Sequence, residues 1–102
     1  MTTLHTVNKS PFERNALDSC LRLATEGAAV LLFEDAVIGA RAGTRIADTI
    51  KAAMPGLAFY VLGPDLAARG IREDALIEGI RVVDYPGFVE LTVSYDKVQA
   101  WL

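Results

Sequence analysis

Short apolar runs alternate along this chain with segments whose apolar residues recur every three to four positions, and turn residues fall between them. "TLHTV" (3–7) reads as a first strand, ended by the polar turn "NKSP". A helix follows, with Asn15 as N-cap, Asp18 as a first-turn acid and Gly27 as the closing C′ residue. "AAVLLF" (28–33) is a continuous apolar run of strand length, the pattern of a strand covered on both faces. The segment from Glu34 to Gly56 reads as helix, split at Gly39 and Gly43 into a short piece and a longer one from Thr44 to Ala53. In the longer piece Ile46, Ile50 and Ala53 share one face.

"LAFYVL" (57–62) predicts a third strand and "GPDLAARG" a compact helical unit, with Pro64 at its first position and Gly70 after it. "IRVVD" (80–84) predicts a fourth strand. "YPGFVELTVSYDKV" predicts a last helix, with Phe88, Leu91, Thr92 and Tyr95 at helical spacing, and the apolar tail "QAWL" docks as a short strand or a plug. Strand–helix–strand alternation at these spacings gives βαβ units and a mostly parallel sheet with helices on both faces. The expected class is a three-layer, flavodoxin-like α/β fold, in one domain over residues 1–102.

Composition adds an interface to this picture. The side chains are 52% apolar; counting Gly and omitting Tyr gives about 57%, against roughly 45–50% in an average soluble domain. A chain this short cannot hide so much apolar surface internally, so contiguous patches and protein partners are expected. The alternative is an Ala-rich chain that tolerates exposure. Net charge is −3 and the ten basic residues are scattered singly, which disfavours direct nucleic-acid binding. No apolar run approaches the roughly 20 residues of a membrane span, and no signal peptide is apparent. One cysteine fits a reducing cytosol, so a cytoplasmic protein is expected.

Candidate chemistry is sparse. Ligands of open α/β sheets bind beyond the carboxyl ends of the strands, and three acids stand there: Asp35, Asp65 and Asp84. They read as general bases or metal ligands on one view, and as helix N-caps or first-turn acids on the other, which the local sequence supports in each case. No glycine-rich phosphate loop follows a strand, so no cofactor is expected. His5 and Cys20 are the only residues of their kinds and form no ligand pair, so no metal is expected either. His5 lies within a predicted strand and reads as a hydrogen-bonded structural imidazole. Cys20 falls near the middle of the apolar arc of the first helix, between Ala16, Leu17, Leu21 and Ala24, which marks a small core residue of low reactivity. The same arc could instead face a partner subunit.

Four stretches together carry a resemblance: "LHTVNKSPF", "LLFEDAV", "VLGPDLAARG" and "VVDYPGFVELT" with the terminal "AW". In this order and at this length the chain resembles the TusB/DsrH family, the small subunit type of the TusBCD and DsrEFH sulfurtransferase complexes. The resemblance implies a subunit of a heterohexamer with DsrE/TusD-like and DsrF/TusC-like partners. Such a complex accepts persulfide sulfur and passes it to a DsrC/TusE-type carrier. In the TusBCD branch the sulfur reaches tRNA wobble uridines as 2-thiouridine; in the DsrEFH branch it serves dissimilatory sulfur oxidation. The principal sulfur-carrying cysteine belongs to the DsrE/TusD-type subunit. DsrH-type members carry a cysteine in the first helix whereas TusB-type members can lack one, so Cys20 favours the DsrH branch and becomes a candidate secondary sulfur-accepting thiol. The expectation is a non-catalytic accessory subunit. The alternatives are a free-standing α/β ligand-binding domain or small enzyme using Asp35, Asp65 and Asp84, and a homo-oligomeric packing module.

Overall fold

The computed structural model describes residues 2–102. Five strands, β1 (Thr3–Val7), β2 (Ala29–Leu32), β3 (Ala58–Leu62), β4 (Arg81–Val83) and β5 (Lys97–Trp101), form one sheet in the order β4-β3-β2-β1-β5. Every pairing between these strands is parallel. The helices are α1 (Ala16–Leu23), α2 (Arg45–Ala53), α3 (Gly63–Ala68) and α4 (Tyr85–Ser94), with 3-10 turns at Glu34–Ala40 and Glu73–Ala75. This is the α/β architecture that the alternation of runs implies.

Side-chain alternation along the central strands builds two cores. Val30 and Leu32 of β2, Val7 of β1, and Phe59 and Val61 of β3 point to one face, where they meet Leu17 and Cys20 of α1, Ile46 and Ile50 of α2, and Leu66 of α3. Leu4, Ala29 and Leu31 point to the other face, under Phe88 and Leu91 of α4 and Tyr95 just after it. All four residues of β2 are buried, which is why its sequence is apolar without alternation. The two faces are unequally covered: several elements pack on the first, while α4 is the helix packed on the second.

Three boundaries differ from the sequence-based expectation. α1 stops at Leu23, because Ala24 is already extended (φ −67°, ψ 135°). Gly27 lies beyond it, at φ +92°, in the turn into β2 rather than as the helix's C′ residue. Asn15 stands at the N-cap position without a side-chain capping bond. The last helix ends at Ser94, and Lys97 and Val98 belong to β5. Pairing from Thr3↔Lys97 to Val7↔Trp101 overrides the helical reading of "YDKV", and the tail is a strand rather than a plug. An antiparallel bridge, Arg41↔Leu76, ties the turn after Ala40 to the segment before β4 and has no local sequence signal.

Candidate functional site

The carboxyl ends of β2, β3 and β4 bring the three predicted acids to one edge of the molecule. Glu34 follows β2 with φ +49°, a left-handed conformation rare for a residue with a Cβ. That turn aims the Glu34 backbone N–H at Asp65 Oδ2, 2.6 Å away, while the Glu34 carboxylate accepts from Asn8 Nδ2 at 3.3 Å. Asp65 therefore stands in the first turn of α3, yet its carboxylate ties α3 to the end of β2. Arg69, at the end of α3, donates to Asp35 Oδ1 through Nε and a terminal nitrogen (3.3 and 2.8 Å) and to the Asp65 carbonyl at 3.2 Å. Asp84 is the N-cap of α4, accepting from the Gly87 N–H at 2.8 Å.

Each acid thus has a structural partner. Asp35 and Asp65 are joined through Arg69, whereas Asp84 sits apart on an open cavity of about 460 Å³ lined by Gly63, Glu73 and Val83. Among the described residues no cluster of three or more His, Cys, Asp or Glu side chains could hold a metal ion. The arrangement locks loops; it supplies no nucleophile with an adjacent base.

Cys20 is fully buried in the first core. Burial pushes its thiol up to about 12, far from the range in which a cysteine attacks or accepts sulfur as a thiolate. The apolar arc of α1 points into the chain's own core rather than outward to a partner. His5, 5% exposed, accepts a hydrogen bond at Nδ1 from Trp101 Nε1 at 3.0 Å, and burial lowers its basicity. It is a structural imidazole.

The uncovered apolar surface lies elsewhere. α4 has no buried residue, and its outward positions Tyr85, Val89 and Val93, spaced i, i+4, i+8, are 57%, 61% and 80% exposed. Val98 of the neighbouring edge strand β5 and the terminal Leu102 are exposed as well. Leu23 is the corresponding exposed side chain at the end of α1.

A family model described as "DsrH like protein" matches residues 9–98. The protein TusB of Pectobacterium parmentieri is 40% identical over 98 residues, covering 96% of this chain and 99% of that one. The chain belongs to the DsrH-like family. Protein TusB of Escherichia coli K12 is 36% identical over the same coverage. Among solved structures, the ychN protein of E. coli superimposes with a TM-score of 0.81 at 20% identity, covering 99% of this chain and all of that one. MTH1491 of Methanobacterium thermoautotrophicum gives 0.73 at 17% identity, covering 96% and 97%. At these identities the two structures are likenesses of fold.

For a DsrH-like chain the site is notable for what the sequence did not bring forward. Arg69 is one of ten scattered basic residues, and only the juxtaposition of α3 with the end of β2 shows that it joins two strand-end acids. The outward stripe of α4 did carry a signal: "YPGFVELTVS" has one charged residue in ten, too few for a helix whose outer side is meant for water.

Proposed function

We propose that this chain is an accessory, non-catalytic subunit of a cytoplasmic sulfurtransferase complex, assembled with TusC/DsrF-like and TusD/DsrE-like partners in a heterohexamer. It contributes surface rather than chemistry: persulfide sulfur is held by a partner's cysteine and passed to a TusE/DsrC-type carrier. The observation that carries this reading is the exposed stripe Tyr85, Val89 and Val93 along one side of α4. Contiguous apolar surface of this kind favours a protein partner, and family membership says in which kind of assembly to look for it. α1, the other interface candidate, has its apolar face buried and offers only Leu23.

Of the two branches, the relatives at 36–40% identity, named TusB, favour 2-thiolation of tRNA wobble uridines over sulfur oxidation. Cys20 had favoured the oxidation branch, but its setting is that of a packing residue, and we assign it no sulfur. Co-expression with TusC-like and TusD-like partners tests the assembly: a stable complex that Val89→Glu with Val93→Glu abolishes supports it. A chain that stays monodisperse alone and ignores the partners overturns it. Restoration of tRNA 2-thiouridine in a strain lacking its own TusB tests the branch.

A further inference from the structure

Beyond the relay role, we propose that His5 and Trp101 form an acid-sensitive latch that holds the C-terminal strand β5 on the sheet and releases it when His5 is protonated. β5 is an edge strand bonded on one side only, to β1, and four of its five residues are exposed. Its pairing with β1 runs from Thr3↔Lys97 to Val7↔Trp101. Trp101 is its one partly buried residue, packed against the first core, and the indole N–H donates to His5 Nδ1 at 3.0 Å. That bond requires the neutral imidazole with its proton on Nε2. A proton on Nδ1 would set two N–H donors against each other at 3.0 Å and leave a cation in a 5%-exposed position.

Among the described residues, the elements packed on β1 offer the imidazolium no counter-charge of its own. β2 places Val30 beside His5 and has no ionisable side chain. β5 places Gln99 beside it, with Lys97 two residues away. α1 brings Asp18 and Arg22, of opposite sign, which line a surface cavity with Thr49 of α2. The least costly response to protonation is therefore departure of Trp101 and the strand that carries it.

The other end of β5 is tied by a second acid-sensitive contact. The Asp96 carboxylate accepts from the Thr2 backbone N–H at 2.9 Å, and Lys97 N–H donates to the Thr2 carbonyl at 3.1 Å. The hydrogen bond from the Thr2 backbone N–H holds the Asp96 carboxyl below the usual carboxylate range. His5 is held below 6.5 by burial. A group whose folded pKa is depressed stabilises the fold fully above its unfolded value, and the stabilisation is lost as pH falls through the folded one. The His5 end thus lets go first, below pH 6.5, and the Asp96 end only below 3.8.

Trp101 is the only tryptophan, so its emission reports the latch directly. The test is a titration of the full chain from pH 7.5 to 4.5, following Trp101 emission, amide exchange of β5 against β2, and the His5 imidazole by NMR. The expected result is a single midpoint below 6.5, shared by the imidazole, the red shift of Trp101 and loss of β5 protection, with β2 still protected. In Trp101→Phe the imidazole midpoint rises toward 6.5, while Asp96→Asn leaves it in place. An imidazole midpoint unchanged in Trp101→Phe, or β5 protection that persists after His5 has titrated, overturns the proposal.

Discussion

Replacing Cys20 with alanine and with serine separates packing from chemistry. The side chain has zero exposure and sits among Val7, Leu17 and Ile50 of the first core. Alanine removes one buried heavy atom, at about 1 kcal/mol for the lost transfer and the small void. Serine keeps the size but buries a hydroxyl, at about 1–3 kcal/mol if it lacks a partner. In a helix it can bond back to the carbonyl four residues earlier, here Ala16, which holds the cost toward the lower end. Thermal unfolding should therefore fall by roughly 4–8 °C per kcal/mol, with serine at least as damaging as alanine. Reactivity gives an independent figure. With the thiol at about 12 instead of 9.0, the thiolate at pH 8 falls from about a tenth to about one part in 10⁴, a roughly 10³-fold loss before steric protection is counted. The assay is labelling by an aqueous disulfide reagent, folded against denatured chain. Labelling of the folded chain at the denatured rate, together with a Cys20→Ser variant that melts like wild type, would refute the buried, inert thiol.

Val89→Glu with Val93→Glu should change the melting temperature of the isolated chain by no more than about 0.5 kcal/mol equivalent, because both side chains are already exposed, yet abolish co-purification with the partners. Gly39→Ala should destabilise measurably in a thermal melt, since an added Cβ would lie 2.6 Å from Pro11 Cγ; Gly70→Ala, with nothing near the added carbon but φ +67°, separates backbone strain from steric clash. Asp84→Ala removes the capping bond to the Gly87 N–H and should cost about 1 kcal/mol in chemical denaturation, whereas Asp84→Asn should retain most of the stability.

The strands and the parallel sheet were legible because their signals are local. The unbroken apolar run of β2 states two-sided burial, and Pro64 and Asp84 mark helix starts in four-residue contexts. The end of the chain was not legible in the same way, since "YDKV" has no strong preference and its Lys97 and Val98 become strand only by pairing with β1, more than ninety residues earlier in the chain. The apolar arc of the first helix centres on Cys20, but an arc alone does not say whether it faces a core or a neighbour. The sheet decides that, by placing Val7, Val30 and Leu32 beneath it. Taken singly, the strand-end acids Asp35, Asp65 and Asp84 read either as bases and ligands or as caps and first-turn acids. Their linkage through Arg69 and the Glu34 N–H depends on a contact across thirty residues and on one left-handed backbone angle, neither of which has a sequence signature.

On the proposed function, this subunit docks partners and holds no sulfur. Intact-mass spectrometry of the complex with its TusC-like and TusD-like partners, after loading with a persulfide donor, tests it most directly. The expected result is an added sulfur atom on a partner subunit and an unchanged mass for this chain. One sulfur gained on this chain, and lost in Cys20→Ser, would contradict it.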